Sequence, residues 1–360
     1  MVYCNIFVNA MADQSRYRNM TKHYLFYGSE RYTLAIMRPI ERAIKARGDE
    51  VAWFFGGPGA EDLSANDKLL TTVEAVKQWN PIAVITPNNL VPHFFPGIKV
   101  QTFHGFDAGK PRHIYIRGLF DLYCTTGPRD TAAFQQLAQK LGYFSVVETG
   151  WPKLDGFFQN LPKETPPLKG KPVVLYHSTF SPSWSAAEIL YPEVKRLSQS
   201  DRWQWIVTLH PKMNPETIAK YRALENENLQ FATNDNILEL FPQADMMCSD
   251  TSSALTEFLL TGKPVVTYNN RRPGPQLIDI HDPNDFEPAI ERALSRPPEL
   301  MQEIKNFGLQ VHPNRDGKSA DRILDAIDDF IAQGGKNRRA KPWNLLRKYK
   351  LRKKLGYWGK

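Results

Sequence analysis

Two runs of short apolar segments alternating with amphipathic helices, separated by one Pro- and Lys-rich break, constrain this chain more than any other feature. In the first run Lys22–Phe26 reads as a strand entering the turn Gly28-Ser29, and a helix from about Tyr32 to Arg47 sets Ile36, Ile40, Ala43 and Ile44 on one face. Gly48 stops that helix. Val51–Phe55, Ile82–Thr86, Val100–Phe103 and Leu119–Thr125 read as strands, with helices over about Asp67–Trp79 and Pro128–Leu141. Residues 160–172, NLPKETPPLKGKP, break the rhythm and read as a linker. The rhythm then restarts: strands at Val173–Tyr176, Trp205–Leu209, 229–231, Ala244–Cys248 and Val265–Tyr268, helices at about Ala186–Ser198, 215–224, 236–241, Ser252–Leu260 and Ala320–Gln333. Such alternation predicts an α/β protein of two Rossmann-type domains, each with a helix-covered parallel sheet, facing each other across a central cleft. The expected boundaries are 1–160 for an N-terminal α/β domain, 161–172 for the linker, 173–333 for a C-terminal α/β domain and 334–360 for a tail.

Charge separates the tail from the rest. The chain has 46 Lys and Arg against 38 Asp and Glu, for a net charge of +8. Residues 336–360 hold 11 of the basic residues and no acid, so the remainder has 35 against 38, a net of −3. A slightly acidic body argues against nucleic acid as a partner, which would need a basic groove on the fold itself. The tail interleaves its charges with Trp343, Leu345, Leu346, Tyr349, Leu351, Leu355, Tyr357 and Trp358, a composition suited to an anionic membrane surface; the alternatives are a solvated or disordered tail, or one that binds nucleic acid. No run approaches 18 apolar residues, so no bilayer-spanning helix is expected, and the first residues do not read as a secretory leader. Cys4, Cys124 and Cys248 are too few and too widely spaced for a disulfide framework or a zinc motif, and a reducing cytosol is the simplest compartment.

Ligands of parallel sheets bind at the carboxyl ends of strands, and the conspicuous polar residues fall there: His104, His177 with Ser178, His210 and Ser249 through Ser253. Ser249-Asp250-Thr251-Ser252-Ser253 opens a helix; such residues cap helices, and they also offer hydroxyls and free N–H groups to a phosphate. His210-Pro211-Lys212 supplies an imidazole and an ammonium that can hold a pyrophosphate, or is a surface turn. His104, followed by Gly105, is a candidate general base, or a loop histidine with a structural hydrogen bond. Asp316-Gly317-Lys318-Ser319 reads as a turn and a helix cap. No Walker loop, G-x-G-x-x-G, G-x-S-x-G elbow or H-E-x-x-H is present, and no metal or cofactor is expected.

In order along the chain, His104–Gly105, GWPKLD (Gly150–Asp155), YHSTFSPSW (Tyr176–Trp184), LHP (Leu209–Pro211), SDTSSALTEFLLTGKPVVTY (Ser249–Tyr268) and RDGKSADRI (Arg315–Ile323) resemble the CDP-glycerol glycerophosphotransferases of teichoic-acid and capsule synthesis. The resemblance covers roughly residues 100–325. It implies a GT-B fold and an enzyme held at the inner membrane face by basic or amphipathic elements. It also implies transfer of a phosphopolyol, glycerol phosphate first, from a CDP-activated donor to an acceptor hydroxyl on a cell-surface glycan or its lipid-linked precursor. His104 matches the family's base; His210, Ser252 and Ser253 match its donor-phosphate contacts. The chain departs from the family pattern in HSTFSPSW, which lacks a basic residue after the aromatic, in Thr251 where an aromatic is common, and in Glu257-Phe258 where Asp-Phe is common. Ribitol phosphate therefore stays open as the transferred group.

The implied step is in-line attack at the donor's β-phosphorus. His104 removes the acceptor proton, while His210, Lys212 and residues 249–253 stabilise the charge on departing CMP. The alternatives are a GT-B glycosyltransferase using a CMP- or UDP-linked sugar, a binding protein that recognises a nucleotide or glycan without turnover, and a non-hydrolysing sugar epimerase.

Overall fold

The computed structural model describes residues 21–106, 114, 116–161, 170–233 and 237–359. It divides into two compact units: residues 1–156 with 314–360, and residues 157–313.

Unit 1 is built on a six-stranded parallel sheet: β1 (His23–Gly28), β2 (Glu50–Phe55), β3 (Ala83–Thr86), β4 (Ile98–Gln101), β5 (Leu122–Thr125) and β6 (Ser145–Glu148), in the order β2-β1-β3-β4-β5-β6. Tyr24, Leu25, Phe26, Val84, Ile85 and Val100 are fully buried, as expected for parallel strands covered on both faces. Its helices include α1 (Tyr32–Ala46), α2 (Val73–Trp79) and α3 (Pro128–Leu141). α3 begins with Pro128 at a position that needs no N–H, and ends at Gly142, whose φ of 74° suits a left-handed stop. α2 is shorter than the expected Asp67–Trp79. Trp53 pairs with the backbone of Lys68 and Leu70, which holds that stretch extended, and the Thr72 hydroxyl accepts from the Ala75 N–H to start the helix late.

Unit 2 repeats the plan with β7 (Val173–Ser178), β8 (Gln204–Leu209), β9 (Leu229–Phe231), β10 (Met246–Ser249), β11 (Val265–Tyr268) and β12 (Ile278–Ile280), ordered β12-β11-β10-β7-β8-β9. In sequence terms this is 6-5-4-1-2-3, the doubly wound order with its reversal between β7 and β10. Following α4 (Asp155–Asn160) at the unit boundary, the helices of unit 2 are α5 (Ala187–Ser198), α6 (Pro215–Arg222), α7 (Ala254–Leu259), α8 (Phe286–Leu294) and α9 (Pro298–Val311). The expected helix over 236–241 is a single 3₁₀ turn at Ile237–Glu239, its first residue lying outside the described ones.

A domain running to 333 and a separate tail do not match the units, because residues 314–360 return to unit 1. Within that segment α10 (Ser319–Ala332) pairs with the start of the chain through Lys22–Asp328 at 2.8 Å and Arg47–Asp325 at 2.8 Å. The Asp155 carboxylate accepts from the N–H groups of Ser319 and Ala320 at 2.9 and 2.8 Å, satisfying the first turn of α10. GWPKLD and RDGKSADRI thus meet through a helix cap. Of the expected linker 161–172, residues 162–169 lie outside the described ones.

The tail is folded onto unit 1. Lys341 pairs with Asp121 at 2.7 Å, and the Arg339 N–H donates to the Gly142 carbonyl. α11 (Leu345–Leu355) buries Leu351 in the unit-1 core, with Leu355 and Tyr357 packed beside it. The opposite side leaves Trp343, Leu346, Tyr349 and Trp358 exposed at 81, 79, 53 and 59%.

Both sheets carry a buried lysine at their amino edge. Lys99 donates to the carbonyls of Phe95 and Gly97, and Lys263 to those of Phe241, Pro242 and Ala244. Burial, with the nearby Lys341 charge, pushes Lys99 down to about 7; burial lowers Lys263 as well.

Candidate active site

In unit 1 the candidate base His104 is exposed, three residues past the end of β4. Val100–Phe103 was expected as strand, but β4 stops at Gln101 because Phe103 takes φ 59°, a left-handed conformation costly for a bulky residue. Burial of the Phe103 ring against Phe134, 5.1 Å away, holds that turn and aims His104 outward. The His104 Nδ1 lies 3.2 Å from the Pro87 carbonyl, which can only accept; this selects the Nδ1–H tautomer and puts the acceptor lone pair on Nε2. The Tyr32 ring stands 5.3 Å from the imidazole, and its hydroxyl donates to Asn88 Oδ1 at 2.8 Å. Tyr32, Asn88 and His104 follow β1, β3 and β4, so they gather where the strand order of this sheet reverses. The sequence offered no pattern linking Tyr32 or Asn88 to His104.

In unit 2 the other candidates come together along one sheet edge, because β7, β8, β10 and β11 pair in parallel and end on the same side. Asp250 organises that edge. It is fully buried, and its carboxylate accepts from the Ser178 hydroxyl, the Thr179 N–H at 3.0 Å and the Ala186 N–H at 3.1 Å. These are all donors, the arrangement an ionised carboxylate needs, while burial pushes its pKa up. Asp250 therefore spends its side chain fixing the loop after β7. Ser178 is spent in the same bond, with the Ser185 hydroxyl 2.9 Å away.

The remaining hydroxyls divide. Thr251 Oγ1 accepts from the Arg271 N–H at 3.2 Å, and Ser252 Oγ from the Ala254 N–H at 3.2 Å. Ser253 is exposed, and Ser249 Oγ is buried without a hydrogen-bond partner among the described residues. His177 is buried within β7; its Nδ1–H donates to the Thr208 carbonyl at 3.2 Å, and burial pushes it down to about 4, so the ring is neutral at pH 7. His210 Nδ1 accepts from the Lys212 N–H at 3.1 Å, which places the proton of the neutral ring on Nε2 as a donor. Burial and then the Lys212 charge lower the His210 pKa. The His210 ring rests 4.4 Å from Phe180, over which Lys212 Nζ sits at 5.9 Å. Sequence reasoning missed Arg271, Phe180 and Trp184 as members of this edge; two adjacent arginines beginning three residues past the end of a strand were the signal for the first.

Chemically, unit 1 presents an imidazole acceptor nitrogen and unit 2 a row of donors with one ammonium. Among the described residues, no group of three or more His, Cys, Asp or Glu side chains could hold a metal ion, and no helix is long and apolar enough to cross a membrane.

Residues 118–329 match the family model described as CDP-glycerol:poly(glycerophosphate) glycerophosphotransferase. The chain is similar to a teichoic acid poly(ribitol-phosphate) polymerase of Bacillus spizizenii, 24% identical over 212 residues, which is 51% of this chain and 33% of that protein. It thus spans about a third of the length of that curated relative. Among solved structures it resembles the wall teichoic acid polymerase TagF, with a TM-score of 0.60 at 14% identity, covering 88% of this chain and 91% of the other. It also resembles a UDP-GlcNAc 2-epimerase from Neisseria meningitidis, with a TM-score of 0.61 at 11% identity over 86% of this chain and 100% of the other. These likenesses establish the GT-B fold.

Proposed function

The chain belongs to the CDP-glycerol:poly(glycerophosphate) glycerophosphotransferase family, and we propose that it transfers a phosphopolyol, glycerol phosphate first, from a CDP-activated donor to an acceptor hydroxyl of a cell-surface glycan or its lipid-linked precursor. The observation that carries this reading is the Asp250-anchored edge of unit 2, which lies inside the family-matched segment and at the reversal of strand order. It presents His210 Nε2–H, Lys212 and Ser253 from one fixed scaffold, a donor set suited to a diphosphate.

In the proposed step the acceptor oxygen attacks the donor's β-phosphorus in line. An acceptor O–P bond forms, the bridging P–O bond breaks, and CMP leaves with the electron pair. His104 Nε2 takes the acceptor proton. His210 and Lys212 offset the charge that grows on the leaving phosphate. Incubating the full chain with CDP-glycerol, CDP-ribitol, CMP-sugars and UDP-sugars tests this. CMP release from a CDP-polyol is expected; release from nucleotide sugars alone overturns it and favours glycosyl transfer.

The reading extends to location at the cytoplasmic face of the cell membrane, supported by α11. With Leu351 and Leu355 turned to unit 1, the outer side offers Trp343, Leu346 and Tyr349 beside the exposed Lys350, Lys353 and Lys354. Apolar rings rimmed by ammonium groups suit anionic lipid, each Lys near the surface contributing about 1 kcal/mol. Sedimentation with phosphatidylglycerol vesicles, but not phosphatidylcholine vesicles, is the expected result, reversed by salt.

A further inference from the structure

On the β11 side, the edge of unit 2 ends in an exposed cation–aromatic pair that no part of the proposed step uses. The Arg271 guanidinium carbon lies 4.7 Å over the Trp184 ring, and Trp184 is 43% exposed. Both residues stand on loops fixed to the same scaffold. Trp184 belongs to the loop whose two ends, Thr179 and Ala186, donate to Asp250. Arg271 is fixed by its own N–H on Thr251, and Asn270 Nδ2 donates to the Asp250 carbonyl at 2.7 Å. The preceding Asn269 takes φ 48°, and the Asn270 N–H is held by Asp279 at 2.9 Å, so the turn that presents Arg271 is well defined.

Side chain and backbone contrast sharply here. The backbone at 269–272 is tied to the residues beside the donor candidates, whereas the guanidinium, among the described residues, makes no ion pair and only covers a ring. An exposed cation–π contact is weak and easily exchanged. A guanidinium is also the side chain whose planar fork matches two phosphate oxygens at once. Lys212 over Phe180 is the counterpart on the β8 side, so Ser249–Ser253 is flanked by a cation on an aromatic ring at either end. The indole face that Arg271 covers is a flat apolar surface of the kind on which bases stack.

We propose that Arg271 is a phosphate-binding arm for the nucleoside diphosphate donor, held on Trp184 in the free protein, and that the indole face it vacates stacks against the donor's pyrimidine. This rests on the reading of unit 2 as the donor-binding unit. Arg271 would supply the cation that the stretch HSTFSPSW lacks after its aromatic.

Calorimetric titration of the full chain and of Arg271→Ala, Arg271→Lys and Trp184→Ala with CDP, UDP and cytidine tests it. R271A should weaken CDP binding about tenfold or more while leaving cytidine within about twofold, because only the phosphate contact is lost. R271K should fall between. W184A should weaken cytidine and CDP alike, by about tenfold. Thermal midpoints close to that of the parent would show that the variants fold. If the parent binds CDP and R271A binds it within about twofold, the Arg271 assignment is overturned while the donor reading stands; unchanged cytidine binding in W184A overturns the stack. A parent that takes UDP in place of CDP overturns the donor reading, and the same variants titrated with UDP then decide the Arg271 assignment. A parent that binds neither nucleotide overturns both.

Discussion

Both units are built on six-stranded parallel sheets, of different strand order, and they hold their candidate edges by different means. In unit 1 the contacts described for His104 are a backbone carbonyl and a phenol ring, on a turn whose left-handed Phe103 is secured by packing. In unit 2 a buried carboxylate collects donors from the last residue of β7 and from both ends of the loop that follows, so one group fixes that loop. Away from these edges the units are alike, each with a buried lysine closing carbonyls at the amino end. The difference suits the two proposed tasks: a base must exchange a proton without rebuilding its surroundings, and a diphosphate site gains from donors that do not move.

Four measurements sharpen or break this contrast. The largest effect is expected for His104→Ala, a fall in kcat of about 10²–10⁴-fold with CDP affinity within about twofold of the parent. Loss of CDP affinity instead would move His104 from base to donor contact. Next, Asp250→Ala strands the Ser178, Thr179 and Ala186 donors in a buried site and should cost about 3–4 kcal/mol in chemical denaturation. Asp155→Ala removes only a helix cap and should cost about 1–2 kcal/mol; equal losses would erase the distinction between clamp and cap.

Third comes pH. His177 is held neutral, with a folded-state value of about 4 against an ordinary 6.5, so the unfolded chain binds the extra proton. Its contribution is fully present above about pH 6.5 and is lost as pH falls towards 4, by up to ~3 kcal/mol. His177→Gln should flatten the stability of unit 2 across that window; a parallel slope in parent and variant refutes the buried neutral ring. The smallest effect is expected for Tyr32→Phe, which keeps the ring beside His104 but drops the bond to Asn88. Its kcat should fall about two- to fivefold, under ~1 kcal/mol in barrier.

What the sequence disclosed depended on how local the cause was. Parallel strands are apolar runs, so most of the twelve could be read directly, and α3 announced both ends with Pro128 and Gly142. β6 and β12 are short strands at sheet edges and carried too little apolar signal. α8 shows Phe286, Ala289, Ile290 and Ala293 at helical spacing, a local and legible pattern. Asp250 illustrates the opposite case. Its neighbours made it look like a helix cap, but partners 64 to 72 residues away decide its role. Phe103 is similar, since nothing local predicts a left-handed phenylalanine. The return of residues 314–360 to unit 1 was illegible for the same reason: an amphipathic helix displays an apolar stripe and not the address of its partner.

That return has a consequence for biosynthesis. Unit 2 is one uninterrupted stretch of chain, so during vectorial synthesis on the ribosome it has every residue it needs before unit 1 does. Unit 1 begins first and finishes last, waiting with the apolar surface that receives Leu351 and with Asp121, the later partner of Lys341, open to the nascent-chain environment. A premature stop near residue 313 would therefore spare the later-started unit and leave the earlier one as a client for chaperones.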